Sequence, residues 1–125
     1  MAGRRAARRS ALFLLYQWDV TGQPLASLFE GDVDEYASAL AEHVLERADE
    51  LDERITAAAE GWTAARLGVV ERNVLRIAVE ELDGDEVPDD VAINEAVELA
   101  KRYASDDAAR LVNGILARIA REKVA

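Results

Sequence analysis

Residues 87–116 read VPDDVAINEAVELAKRYASDDAARLVNGIL, and this stretch decides the fold. Ile93, Ala96, Val97 and Ala100 recur at three-and-four spacing, the period of one helix face. Pro88 suits the first turn of that helix, and Asp89 and Asp90 complement its dipole. Ser105 reads as the N-cap of a second helix, with Asp106 and Asp107 in its first turn. Leu111, Val112, Ile115, Leu116 and Ile119 then face inward. The expectation is two amphipathic helices joined by a short acidic turn.

The same period runs upstream. Val70, Val74, Ile77 and Ala78, widened by Leu75 and Leu82, predict a helix from Leu67 that ends at Gly84. A first helix over 4–20 shows Ala7, Ala11, Leu14, Leu15 and Trp18 on one face, with Gly22 and Pro24 stopping it. Val33, Tyr36, Ala37, Leu40, Val44 and Leu45 predict another over 32–47. Leu51, Ile55 and Ala58 predict a further piece over 50–60, after a break capped by Asp49. Gly61 and Trp62 mark a joint, and Gly61–Arg66 is the expected seam between two halves. Nothing reads as a strand. The fold class expected is all-α, a compact bundle of about six or seven helices. It is read as one domain over 1–125, with packed halves of about 1–61 and 62–125.

Half of the 125 residues are hydrophobic, so one core can bury roughly two-thirds of the unfolded surface. There is no cysteine, which removes disulfides and thiolate metal sites. No apolar run approaches the roughly 20 residues that span a bilayer. Ala11-Leu12-Phe13-Leu14-Leu15 after the arginines faintly mimics a signal peptide. Gln17, Trp18 and Asp19 then stand where a cleavage site needs small residues. The chain is therefore expected to be soluble and cytoplasmic, with no membrane partner. Its formal charge of −10 argues against nucleic-acid binding by the body as a whole. The charge is uneven, however. Residues 80–90 hold seven acids and no base, whereas residues 1–18 hold four arginines and no acid. The segment 101–123 also leans basic. A basic end on an acidic body suits site-specific phosphate contact.

Arg4, Arg5, Arg8 and Arg9 would cover an arc of roughly 140° on a helix at 100° per residue. Like charges at i, i+4 and cations at an N-terminus both destabilise a helix. Phosphates would offset that cost, since Arg forks match phosphate oxygens; an acid-paired or solvated tail is the alternative. Arg110, Asn113, Ala117 and Arg121 form a polar stripe on the last helix, beside Gly114. A mid-helix Gly costs roughly 1 kcal/mol relative to Ala, so close packing of another helix or a ligand is expected there. Asn94, also mid-helix, reads as a cap for a neighbouring helix end or a ligand contact. Catalytic chemistry finds no support. His43 is the only histidine, and no nucleophile elbow, Walker loop or dinucleotide fingerprint is present. Over Asp83–Glu95 a calcium-loop register would put Gly84 at position 1 and Asp89 at position 6, which rejects it. The carboxylates at 46–53 fan around a helix instead of converging. No cofactor, metal or catalytic residue is expected.

Several blocks, in order along nearly the whole chain, are similar to the bacterial transcription antitermination factor NusB family. They are Arg4-Arg5-Ala6-Ala7-Arg8 leading to Leu15-Tyr16-Gln17, Trp62, and Glu71-Arg72-Asn73-Val74-Leu75-Arg76-Ile77-Ala78. Glu81-Leu82, Ala92-Ile93-Asn94-Glu95-Ala96-Val97-Glu98-Leu99-Ala100-Lys101 and Val112-Asn113-Gly114 follow. The resemblance implies an all-helical fold of two packed subdomains and a non-enzymatic function. Such a protein would bind boxA-type single-stranded leader RNA together with the small-subunit ribosomal protein NusE. It would join the antitermination complex of RNA polymerase on ribosomal RNA operons, and it could also self-associate as a homodimer. Carried over to this chain, RNA would meet Arg4, Arg5, Arg8, Arg9 and Lys101. It would also meet Asp107, Arg110, Leu111 and Asn113 of the last helix. Glu71, Val74, Leu75 and Glu81 would face the ribosomal protein.

Two departures from the family pattern bear on function. Leu111 stands where a Phe is usual, removing a ring whose stacking on a base is worth roughly 1–3 kcal/mol. Glu80 replaces a usual Tyr, touching packing or partner choice. Two other readings follow: an accessory module of an enzyme that modifies ribosomal RNA, or a protein-only adaptor without strong RNA affinity.

Overall fold

The computed structural model describes residues 4–28, 34–61 and 63–124. Helix α1 spans Arg4–Thr21, α2 Glu35–Glu46, α3 Ala48–Ala58, α4 Val69–Asp83, α5 Asp89–Tyr103 and α6 Asp106–Val124. Short 3-10 turns lie at Leu25–Leu28, between α1 and α2, and at Ala64–Arg66, between α3 and α4. No strand occurs among the described residues, as the unbroken helical period predicts. Val33 and Trp62, read from sequence as parts of the second helix and of the joint, lie outside the described residues.

Local chemistry sets the boundaries. Gly22 ends α1 in the left-handed region (φ +71°), its N–H reaching the Trp18 carbonyl at 2.8 Å. Asp34 caps α2 by accepting from the N–H groups of Tyr36 and Ala37. Ser105 caps α6 through its hydroxyl and the Ala108 N–H, 3.0 Å, as expected. Pro88 sits at the cap of α5, one residue before its first turn.

The break between α2 and α3 differs from expectation. It falls at Arg47, and Asp49 lies in the first turn of α3 instead of capping it. The reason is electrostatic. The Arg47 guanidinium donates to Glu50 (3.0 Å), to Glu80 (2.5 Å) and to Asp83 (2.7 Å), and Arg54 adds a second bond to Asp83. Those carboxylates fix the hinge residue against α4. Hydrogen bonds donated to Glu50, then to Asp83 and Glu80, outweigh burial and raise the Arg47 pKa above its ordinary value. Glu80, the residue where the family has Tyr, thus becomes an ionic anchor in the packing.

Helix α4 lies at the centre, packed against α1, α2, α3, α5 and α6. Val74, Leu75, Ile77, Ala78, Val79 and Leu82 are buried around most of its circumference, the signature of an interior helix. The buried apolar residues of all six helices form one continuous cluster. Burial of α4 leaves its charged side chains needing partners. Arg76 meets Asp52 of α3 at 2.7 and 2.8 Å, Asp19 of α1 at 3.2 Å, and Asn73 at 2.9 Å, with the Trp18 ring beneath it. Arg72 reaches Asp19 at 2.9 Å. No helix among the described residues is long and apolar enough to cross a membrane.

Arg76→Ala should therefore destabilise the fold by about 3 kcal/mol, the low end for a broken buried ion pair, because Asp52 keeps some water. Urea unfolding measures this, and a change under 1 kcal/mol would show that the Arg76 cluster does not brace the core.

Candidate nucleic-acid interface

The arginines of α1 do not form one patch. Positions 8, 11, 12 and 15 share a helix face at i, i+3, i+4, i+7, and Ala11, Leu12 and Leu15 of that set are core. Arg8 is drawn in with them and is 4% exposed. Its Nε donates to both oxygens of Glu81, at 2.8 and 3.0 Å, and Glu81 is 5% exposed. The Tyr36 hydroxyl donates to the same carboxylate at 2.5 Å. Burial opposes the Arg8 charge, but the hydrogen bonds and charge of Glu81 outweigh it and raise the pKa. Arg8, expected at RNA, and Glu81, expected at a protein partner, are thus buried together in one closed pair. Val74 and Leu75, also expected at a partner surface, are 0% exposed and belong to the core.

Arg4, Arg5 and Arg9 remain on the outside. Arg4 pairs with Glu86 at 3.3 Å and lies over the Tyr36 ring, 5.0 Å from its centroid. Arg5, with its side chain 80% exposed, forks onto Glu95 at 2.9 and 3.1 Å. The Arg5 hydrogen bond holds the Glu95 carboxyl below its ordinary pKa, against a smaller opposing effect of burial. Acid pairing, the alternative left open by the sequence, is thus what the free protein shows for these two. Arg9 joins Arg5, Glu95, Glu98, Arg102 and Tyr103 around a cleft of about 310 Å³. The α1–α5 face therefore gathers three arginines, exposed Arg5 and Arg102 and half-buried Arg9, beside two carboxylates.

Aromatic surface adjoins that cleft. The Phe13 and Tyr103 rings meet edge to face with centroids 5.3 Å apart, and Arg102 lies over Tyr103 at 5.4 Å. Phe13, Tyr16, Tyr103, Leu12 and Val70 line a hollow of about 340 Å³. Phe13 and Tyr16 are exposed. Sequence reasoning passed over Phe13, Tyr16, Arg102 and Tyr103. Their signal was present, since Phe13 and Tyr16 fall off the apolar stripe of α1, where large apolar rings are unusual.

Of the remaining expected residues, Lys101 is exposed in the last turn of α5 and Asp107 in the first turn of α6. Asp107 pairs with exposed Arg110 one turn on. Leu111 is half-buried and Asn113 exposed. Glu71 turns back to accept from the Gly68 N–H at 3.1 Å, capping the start of α4 beside Val70. Gly114 departs from the packing expectation: a Cβ there would meet nothing within 4 Å. Asn94, read as a cap, is exposed on α5.

The family model described as the NusB family matches residues 5–121. The transcription antitermination protein NusB of Salinispora tropica is 45% identical over 131 aligned positions, covering 96% of each chain. A chain in the crystal structure of a plectonemic RNA supercoil superposes with a TM-score of 0.87 at 32% identity, over 100% of this chain and 99% of that one. A chain in the crystal structure of antitermination factors NusB and NusE in complex with double-stranded RNA gives 0.82 at 31% identity, over 95% and 96%.

Arg8→Ala should cost about 3–5 kcal/mol, because its pair is buried, whereas Arg5→Ala, at a solvent-exposed guanidinium, should leave stability nearly unchanged. Gly114→Ala should stabilise the fold by about 0.5–1 kcal/mol, since the site is open and helical; chemical denaturation measures all three. Burial first, then the hydrogen bond and charge of Glu81, push the Tyr36 phenol up to about 12 from 10.0. A pKa raised on folding contributes stability that is complete below pH 10 and is lost as pH climbs toward about 12. In an alkaline absorbance titration, Tyr36→Phe should remove a phenolate step near pH 12.

Proposed function

The chain belongs to the NusB family, and from that premise we propose that it is a transcription antitermination factor. It binds boxA-type leader RNA together with ribosomal protein NusE and joins the RNA polymerase complex that transcribes ribosomal RNA operons. It acts by binding and carries out no catalysis, as a single RNA-binding domain over 1–125 in the cytoplasm. The observation that carries this reading is the outward set Arg4, Arg5, Arg9 and Arg102 on a chain of net charge −10.

Phosphates would bind by exchange. Arg4 and Arg5 would leave Glu86 and Glu95 for RNA oxygens, a near-neutral swap because exposed ion pairs are worth only about 0–1 kcal/mol. Lys101, Arg110 and Asn113 continue the polar surface from α5 onto α6. Asp107, as an acceptor, suits base amino groups or 2′-hydroxyls and not phosphates. Sequence selection would come from unstacked bases. The Phe13–Tyr16–Val70–Tyr103 hollow, next to Glu71, suits the ribosomal protein, since apolar patches rimmed by charge mark protein interfaces. This replaces the buried Val74 and Leu75 as the apolar part of that contact. The same patch would mediate a homodimer in the absence of NusE.

Arg4→Ala, Arg5→Ala and Arg9→Ala combined should flatten the dependence of log affinity on log salt by about 2, at roughly 0.7 per phosphate on single strands. Fluorescence anisotropy with a boxA-like RNA, alone and with NusE, measures it. Wild-type binding should tighten with the ribosomal protein and should fall with a scrambled RNA. A protein pair that forms with no preference for boxA over the scramble would leave the adaptor reading instead.

A further inference from the structure

On the side of α6 that faces the end of α3, Arg118 and Arg121 are not used by the reading above. Arg110, Gly114, Arg118 and Arg121 follow one another at spacings of four, four and three, so they lie along one stripe. They line a groove of about 280 Å³ between α6 and the end of α3. Its floor is Leu111 and Ile115, and its far wall is Ala58, Ala59 and Glu60. Three guanidiniums line it, Arg110 paired with Asp107 and Arg118 with Glu60, on a chain whose overall charge is strongly negative.

One detail is unexplained by folding alone. Gly114 sits at the middle of α6, where Gly weakens a helix, yet no protein atom lies where its Cβ would be. The missing side chain therefore serves no packing within the chain. It leaves a smooth gap between Arg110 and Arg118. Glu60, directly after the α3 cap Ala59, takes the left-handed conformation (φ +43°) that commonly ends a helix, and its carboxylate pairs with Arg118.

We propose that this α3–α6 groove is a second RNA-backbone site that extends the interface proposed above, on which it rests. Single-stranded RNA runs along α6 with phosphates on Arg110, Arg118 and Arg121, and the sugar-phosphate chain passes closest to the helix over Gly114. Glu60 occupies the Arg118 position in the free protein and is displaced by a phosphate. From Arg110 to Arg121 the helix advances about 16 Å at 1.5 Å per residue. That is roughly five stacked nucleotides at 3.4 Å each. An acidic protein segment fits less well, because the groove has no pocket for the apolar or aromatic anchors that dominate protein interfaces.

The test uses the full chain and single-stranded boxA-like RNAs of about 8 and about 16 nucleotides, within the range of single-strand site sizes. Wild-type protein should bind the longer RNA more tightly. Arg118→Ala with Arg121→Ala should leave the short RNA unchanged and abolish the gain from length. It should also flatten the salt slope for the long RNA by about 1.4, two contacts at roughly 0.7 each. Gly114→Gln, which changes no charge, should abolish the same gain by filling the gap. Glu60→Gln should tighten the long RNA alone, since it frees Arg118. Equal binding of both lengths by the wild type, or variants indistinguishable from it, would overturn the groove while leaving the α1 interface intact. Loss of NusE affinity with unchanged RNA binding in the Arg118–Arg121 variant would overturn it in favour of a protein contact. If neither RNA binds, with or without NusE, both proposals fail together, and that result is distinct from the others.

Discussion

A central helix covered on all sides must find a partner for each charge it carries into the interior, and the rest of this structure follows from how α4 does so. Glu81 takes Arg8 from α1 and the Tyr36 hydroxyl from α2. Arg76 takes Asp52 from α3 and Asp19 from α1. Glu80 and Asp83 take Arg47 from the hinge between α2 and α3. Apolar burial drives the helices together without direction, whereas these pairs have fixed partners and geometry. They set which rotation of α1 about its axis is compatible with the core. That rotation turns Arg8 inward and leaves Arg4, Arg5 and Arg9 outward.

Burial also sorts the arginines by availability. A buried pair such as Arg8–Glu81 costs several kcal/mol to break, because the remaining charge is left without water. An exposed pair such as Arg5–Glu95 is worth a fraction of that and weakens further with salt. Only the exposed group can exchange its acid for another anion at little cost. The acids of residues 80–95 therefore do two jobs. Inside, they lock the helices; outside, they compete with weakly held polyanions while yielding to one that contacts several arginines at once. An acidic body carrying a small basic face is compatible with selective binding on those terms.

The helical architecture was legible because the three-and-four period is strong and the breakers Gly22, Pro24, Gly84 and Pro88 stand at real joints. The site was legible only in part. Arg8 was grouped with Arg4 by charge and spacing, although its spacing to Ala11, Leu12 and Leu15 equally marks the core face. Glu81 has the same relation to Val74, Ile77 and Ala78. A base and an acid, each on an apolar stripe, are a signal for a buried pair, but the pairing spans 73 positions and no local pattern carries it. The Arg47 hinge fails for the same reason, since its carboxylates at Glu80 and Asp83 are distant in sequence. Gly114 illustrates the reverse case. The helix penalty was visible, but only the empty space around its Cβ position shows that the chain's own packing does not explain it.

Leu111 and Gly114 together bear on how this chain would discriminate between RNAs. A ring at 111 would add stacking on a base, a contact worth roughly 1–3 kcal/mol. A half-buried leucine beside an open glycine instead gives α6 a low, smooth surface between arginines. On the proposed reading, affinity at α6 shifts from bases to phosphates, and phosphate contacts carry no sequence information. Discrimination must then come from elsewhere. Among the described residues the exposed rings are Phe13 and Tyr16 of α1, with Tyr103 half-buried against Phe13. Tyr103 lines both the arginine cleft and the hollow that holds Phe13 and Tyr16, so on the proposed reading an RNA base and a bound protein would meet at adjoining surfaces. On that reading partner binding and base recognition would be coupled through Tyr103, which would make the protein pair, and not this chain alone, the unit of sequence selection.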